Sequence, residues 1–358
     1  MAYLAVEVSG AGRHPGAWQR AGAVLTPGYH VALAETAARA GVDFLALADS
    51  FTAPDGPTLD AVAIAARVAP VVPGIGLVPT VTVTHTEPFH VSKAIATLDL
   101  VSSGRAGWEV AVSRTPQEAA LFGRKAAAPQ AELWREAAEA VEVVVRLWDS
   151  WEDDAVIRDA ATGRFVDREK LHYIDFAGEF FSVKGPSITP RSPQAHPPVV
   201  IRSEPDSLPV LAAWADVVRV AAPDLAAAHA ARDRVRAAVA AAGRDPENVA
   251  VLLDIETHLG PDAARELDAL GPLPPSSLRV VGTATALVDV IEGAVRGGAA
   301  DGVTLVPLVL PGGLTVIADE VAPQLVDREL RTTVPAAFTL RERFGLARPA
   351  NHFAEAGS

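Results

Sequence analysis

Gly104-Arg105-Ala106-Gly107-Trp108-Glu109-Val110-Ala111-Val112-Ser113 begins at a glycine turn, runs through apolar and β-branched residues and stops at a polar tip. That is the pattern of a short parallel strand buried on both faces. A helical segment rich in Ala, Ile and Leu precedes it (Pro88–Val101), and a longer one follows (Gln130–Trp148). The strand therefore sits in a helix–strand–helix alternation, and its polar end points to where α/β proteins place their chemistry. Period two puts Trp108 and Val110 on one face and Glu109, Ala111 and Ser113 on the other. A carboxylate is hard to satisfy against packed helices, so Glu109 is expected to face inward near the polar end. It then needs a partner, Arg202 or Arg105, or a raised pKa that keeps it neutral.

The alternation continues in both directions. Upstream, Leu4–Val8, Phe44–Ala48 and Ile75–Val83 read as buried strands, with helices over His30–Ala40 and Leu59–Val68 between them. Gly41 is placed to end the first of these helices. Downstream, strands over Val199–Arg202, Val217–Ala221, Val249–Thr257 and Val303–Val306 alternate with helices over Ser207–Ala215, between Pro223 and Gly243, from Thr283 to Val295, and over Leu314–Val326. Eight strands with right-handed helical crossovers close into a TIM (β/α)8 barrel. Residues 1–358 are read as a single domain. Asp149–Ala195 interrupts the alternation between strands four and five as a hairpin-bearing insertion too short for its own core. Its length and its aromatic residues Tyr173, Phe176, Phe180 and Phe181 place it over the C-terminal mouth, as a lid or a dimer surface. Residues 330–358 are read as a C-terminal arm, and Pro261 to Pro275 as a loop.

Composition narrows the function. The chain is 49% hydrophobic and 21% charged, enough for one large core, with a net charge of −13 that argues against nucleic acid and anionic membranes as partners. It has no cysteine, hence no disulfide, thiolate metal site or cysteine nucleophile. No His-x-x-x-His pattern, Gly-x-Ser-x-Gly elbow or P-loop is present, so metal, hydrolase and kinase readings lack support. With neither a signal peptide pattern nor a membrane-length apolar run, a cytoplasmic location is the expectation.

Gly-Arg-x-Gly-Trp-x-Val-x-x-Ser resembles the fourth strand of the bacterial-luciferase-like flavin monooxygenases, most of all their nitrilotriacetate monooxygenase branch. Similar motifs occur in order along the chain: Gly12-Arg13-His14-Pro15-Gly16-Ala17-Trp18, Leu47-Ala48-Asp49, Leu147-Trp148-Asp149-Ser150-Trp151-Glu152-Asp153-Asp154-Ala155, Pro190-Arg191-Ser192-Pro193-Gln194, and Leu340 to Pro349. The resemblance implies a homodimeric TIM barrel that takes reduced FMN from a separate flavin reductase and uses molecular oxygen on a small organic substrate. It places Asp49, Thr82 and Thr84 near the flavin and His14 on the substrate side. Glu109 stands where the family has Asn; ionised, it would block the flavin or act as a base. Gln130 and Trp134 take the places of a His and a Tyr that reach the flavin phosphate. Ile201-Arg202-Ser203-Glu204-Pro205-Asp206-Ser207 replaces a small, hydroxyl-rich phosphate loop. Arg202 could pair a phosphate bidentately, whereas Glu204 and Asp206 would repel it and Pro205 lacks an N–H. These departures keep open a deazaflavin in place of FMN, or a barrel without flavin that serves as a partner subunit or performs non-redox chemistry.

Overall fold

The computed structural model describes residues 1–20, 22–52, 56–332 and 339–354. Among them eight parallel strands close into a barrel: β1 (Tyr3–Val8), β2 (Phe44–Leu47), β3 (Gly76–Thr82), β4 (Trp108–Ala111), β5 (Val199–Arg202), β6 (Val217–Val220), β7 (Ala250–Leu259) and β8 (Gly302–Pro307). Each pairs with the next, and β8 returns to β1. The expected TIM barrel is therefore the observed fold.

Local signals explain the helices that surround it. In α1 (Pro27–Arg39) the Thr26 side chain accepts from the Tyr29 N–H and proline occupies the first turn. α2 (Ala61–Val68) is capped in the same way by Asp60. α3 (Pro88–Ser102) ends at Ser103, which is left-handed. α5 (Gln130–Asp149) buries Leu133, Ala137, Val141, Val144 and Trp148, the stripe expected from the 3.6-residue period.

Three elements differ from the reading of the sequence. A further helix, α4 (Pro116–Phe122), opens on a capping box in which Thr115 and Glu118 satisfy each other's backbone N–H groups. The stretch from Pro261 to Pro275, read as loop, contains a helix (Ala263–Leu270), and a strand that the sequence reading did not include (Arg279–Gly282) follows it. The cause is the length of β7: Leu252–Thr257 pair with β8, and the overhang to Leu259 pairs with the added strand.

The third difference is the insertion, which lines none of the mouth cavity and reaches that side only with its Glu179–Phe181 tip, beside the loops after β3 and β4. α5 runs antiparallel to the strands and returns the chain to their N-terminal ends, so the insertion starts and finishes there. Gln194 donates to the Ala106 carbonyl at the entrance to β4 (2.7 Å), and Arg191 pairs with Asp149 (2.8 Å). The segment carries two short hairpins, Val156–Asp159 with Arg164–Val166 and Phe176–Ala177 with Ser182–Val183. The second lies along the outer side of α5, where Glu139 accepts the Glu179 and Phe180 N–H groups.

The barrel interior is layered. Near the strand N-termini, Ala5, Phe44, Val78, Val200, Val217 and Leu252 form an apolar layer. Residues of the C-terminal arm close it from below: Leu340 and Phe344 belong to that layer, the Leu340 N–H donates to the Gly104 carbonyl (2.8 Å), and Arg341 donates to the His196 carbonyl. Above it the layer is charged, and that layer is the floor of the functional site.

Candidate active site

Period two along the strands turns one charged residue from each of five strands into the barrel: Glu7 of β1, Glu109 of β4, Arg202 of β5, Arg219 of β6 and Asp254 of β7. Arg219, wholly buried, donates from Nη1 to Glu109 (2.8 Å), from Nη2 to Glu7 (2.8 Å), and from Nε and Nη2 to Asp254 (2.9 Å each). Arg202 sits above it with its side chain 34% exposed. It donates to Glu109 from Nε (2.8 Å), to Asp254 from Nη1 (3.5 Å) and to Glu7 from Nη2. Thr80 of β3 adds a hydroxyl to Glu109 (3.3 Å).

Barrel layers are ordinarily packed with branched aliphatic side chains. This layer instead holds three carboxylates and two guanidinium groups. Burial pushes the Glu109 carboxyl up, but Arg202 and Arg219 outweigh it and hold Glu109 below its ordinary value. Glu7 is lowered by the same balance. At Asp254 burial prevails and the carboxyl is raised. Glu109 thus faces inward and pairs with Arg202, as the sequence reading allows. Arg105 is not its partner; it donates to the carbonyls of Ser102, Val72, Ile75 and Ala69 at the strand entrances. Nor is Glu109 kept neutral by a raised pKa.

Above this floor, at the C-terminal ends of β1 to β5, lies a cavity of about 450 Å³. Glu7, Glu109 and Arg202 form its base, and Trp18, Val112 and Trp134 are among its walls. Trp18 is seated by glycines: a Cβ on Gly10, whose φ is +48°, would lie 2.3 Å from the Trp18 ring. Gly10→Ala is therefore expected to displace this wall and to cost about 1–3 kcal/mol. Urea unfolding measures the loss, and a midpoint within error of the wild type would refute the seating. Trp134 is buried at 2% exposure, and its Nε1–H has no partner among the described residues.

The sequence candidates divide into two groups. Asp49, Glu109, Trp134 and Arg202 line this cavity. Asp49 also accepts the Ser50 and Ala61 N–H groups (2.8 and 2.9 Å), and burial raises its carboxyl pKa. His14, Thr82, Thr84, Gln130 and Ser203 do not line it. Both His14 nitrogens engage backbone, with Nδ1 accepting from Gly16 N–H (3.0 Å) and Nε2 lying 3.1 Å from the Gly271 carbonyl. Thr82 lines an adjoining cleft between β3 and α3, with its hydroxyl buried and unpartnered. Thr84 accepts from the Ser113 N–H (2.9 Å). Gln130 donates to the Pro205 carbonyl (2.7 Å), and the Ser203 N–H donates to the Arg219 carbonyl (2.7 Å).

The sequence reading missed Glu7, Arg219 and Asp254. Each is a lone charge in an apolar run: Leu4-Ala5-Val6-Glu7-Val8, Val217-Val218-Arg219-Val220 and Leu252-Leu253-Asp254-Ile255. A lone charge in each of three buried strands was a legible sign of buried ion pairing, whereas their matching depth follows only from the strand register. Among the described residues no cluster of His, Cys, Asp and Glu could hold a metal ion, and no helix is long and apolar enough to cross a membrane.

A closed barrel of parallel strands with a walled cavity and charged residues at its C-terminal mouth is the architecture of a TIM-barrel enzyme. Residues 3–298 match the sequence pattern of the luciferase-like monooxygenases, and the chain belongs to that family. It is 30% identical to N-acetyl-S-(2-succino)cysteine monooxygenase of Bacillus subtilis, with 98% of each chain covered. It is 31% identical to nitrilotriacetate monooxygenase component A of Aminobacter aminovorans, with 91% of each covered. The crystal structure of a long-chain alkane monooxygenase superposes with a TM-score of 0.88 at 23% identity, covering 100% of this chain and 99% of that one, and so shows the shared fold. The expected class, an oxidoreductase of the monooxygenase type, is thus met.

Proposed function

We propose that this chain is the oxygenase component of a two-component system, taking reduced FMN from a separate flavin reductase and inserting one atom of molecular oxygen into a small organic substrate. The observation that carries the reading is the walled cavity over the C-terminal strand ends in a chain related to component A of nitrilotriacetate monooxygenase along nearly its whole length. The fit of the cavity to the cofactor is uneven. Its volume and its Trp18 and Trp134 walls suit a flat heteroaromatic ring. The 203–207 loop does not suit a phosphate: the Ser203, Glu204 and Ser207 N–H groups are spent on the Arg219 carbonyl, the Ser207 hydroxyl and the Glu204 carbonyl, and Pro205 has none.

When bound, the reduced flavin supplies the electrons that activate oxygen. The chain's own residues supply walls and charge. Trp18 and Trp134, as cavity walls, would hold the ring and keep water out, and the unpartnered Trp134 N–H would be a donor for a ligand acceptor. The Glu7, Glu109 and Arg202 floor fixes the electrostatic field at the base of the cavity without reorganising. Asp49, with its raised pKa, holds a proton more readily than an ordinary carboxyl at the cavity edge. A homodimer and a cytoplasmic location go with the reading; light scattering and fractionation test them. Anaerobic titration with reduced FMN, followed by oxygen consumption with a reductase and candidate polycarboxylates or sulfur compounds, tests the function. Absence of flavin binding in either redox state would refute it.

Glu109 gives a sharper check. Glu109→Asn leaves two carboxylates against two guanidinium groups and frees the Arg202 Nε–H. FMN should then bind about tenfold more tightly, the scale of removing one buried like charge. Because Glu109 is held ionised below the ordinary carboxylate range, the gain should persist down to about pH 5 and narrow only below that. Equal affinity of variant and wild type at neutral pH would sink the idea.

A further inference from the structure

We infer that Arg13 selects the organic substrate: its guanidinium anchors a carboxylate at the rim of the cavity, so the substrate lies with its anionic end outward and its uncharged, reacting end toward the floor. The inference rests on the oxygenase reading above and names the chemical class of substrate that this cavity takes. Five of the residues lining the cavity carry carboxylates and three carry guanidinium groups, Arg13, Arg114 and Arg202. An anion entering it meets a surplus of negative charge unless it stops at a cation that is not already neutralised. Arg202 is committed to Glu7, Glu109 and Asp254. Arg114, which follows β4, has two carboxylates beside it, Glu118 and its ion-pair partner Glu204 from the loop after β5. Arg13 alone of the three has no ion pair or side-chain hydrogen bond among the described residues.

The backbone holds Arg13 in place. Its N–H donates to the Pro307 carbonyl at the end of β8 (3.0 Å), and the His14 N–H donates to the Leu308 carbonyl (2.9 Å). A Cβ on Gly12, whose φ is +124°, would lie 2.5 Å from that Leu308 oxygen, so the loop is docked as closely as glycine permits. His14, buried with both ring nitrogens on backbone, fixes the other side. The Arg13 fork is exposed and unpaired on a fixed backbone, so it can meet a carboxylate bidentately with no loop to order. The far end of such a molecule faces Glu7 and Glu109, whose arginine partners hold them ionised. That end must be uncharged to descend. A thioether or an alkyl group meets the condition; a second carboxylate does not.

Proton NMR titrations of the whole chain compare three probes: methylthiopropanoate, its uncharged analogue methylthiopropanamide, and thiodipropanoate, which carries a carboxylate at both ends. The wild type should bind the monoacid about tenfold more tightly than the amide, and the diacid more weakly than the monoacid. Arg13→Gln should remove the monoacid's advantage while the amide stays within about twofold, and Arg13→Lys, which keeps the charge without the fork, should fall between. Each variant is first checked for an unchanged melting profile. Added salt should weaken the acids and spare the amide. A monoacid bound no better than the amide, or an advantage that survives Arg13→Gln, overturns the inference. So does a diacid bound as tightly as the monoacid, or a wild type that binds none of the three at millimolar concentrations. FMN and riboflavin titrations on the same proteins separate this from the flavin reading. An FMN-to-riboflavin affinity ratio that shifts in Arg13→Gln gives Arg13 to the flavin phosphate and overturns the inference; an unchanged ratio supports it. Absence of flavin binding refutes the oxygenase reading, and the acid-to-amide ratio still decides the anchor.

Discussion

Arg219→Met should lower the unfolding free energy by about 3–5 kcal/mol, the range for removing one partner from a buried ion network. Arg219 is the hub. Its side chain has no exposure and donates to all three interior carboxylates. Methionine nearly fills the volume but leaves Glu7, Glu109 and Asp254 sharing the single guanidinium of Arg202. The loss should be largest at neutral pH. Glu7 and Glu109 lie below their ordinary values, so their contribution is complete above about pH 4.5 and is lost as pH falls through their folded-state values. In the variant the three carboxylates take up protons at higher pH, and acidification toward about pH 5 should recover part of the deficit. Asp254 has the opposite sign: its raised carboxyl favours folding below the ordinary aspartate value, a contribution lost as pH rises through the folded one. Asp254→Asn, which removes the carboxylate in excess of the two guanidinium groups, should therefore cost far less than Arg219→Met. Urea unfolding across pH measures all of this. Equal midpoints for Arg219→Met and the wild type at pH 7 would show that the network adds nothing to stability.

The second large effect lies at the other end of the barrel. Leu340→Ala should cost about 2–5 kcal/mol, the range for truncating a fully buried leucine whose surroundings cannot collapse. They cannot collapse because strand backbone surrounds it. A Cβ on Gly76 would sit 2.7 Å from one Leu340 methyl, and one on Gly107 would sit 3.1 Å from the other. The ligand cavity at the opposite face should be spared, so flavin affinity in folded Leu340→Ala is expected to match the wild type. A stability change below about 0.5 kcal/mol would show that the arm is dispensable to the barrel.

The barrel and the position of its mouth were legible in the residue pattern. Apolar runs such as Phe44-Leu45-Ala46-Leu47 have no polar face to offer water, so they must be central strands, and helical crossovers between eight of them leave one closed arrangement. The inward position of Glu109 was placed by the same logic, but period two left its state open among pairing with Arg202, pairing with Arg105 and a neutral carboxyl. Thr115 and Glu118 carried a capping signature that would have announced α4, and the reading of the sequence passed over it.

Which charges meet was settled by the barrel's register and could not be read along the chain. Arg202 and Arg219 are register partners on β5 and β6, and Thr80 pairs with Glu109, although 29 residues separate that last pair. Sequence distance says nothing about depth along a barrel axis, which strand stagger sets. The same limit applies to Arg114 and Glu204, which come from loops after different strands and meet only because β4 and β5 are neighbours. It applies also to Gly104 and Gly107, where this reading began. Local chemistry explains Gly104, whose φ of +84° a turn requires. Gly107 is small because Val78 of the neighbouring strand β3 and Leu340 from the far end of the chain both rest against it, the latter a packing contact across more than 200 residues that no local pattern encodes.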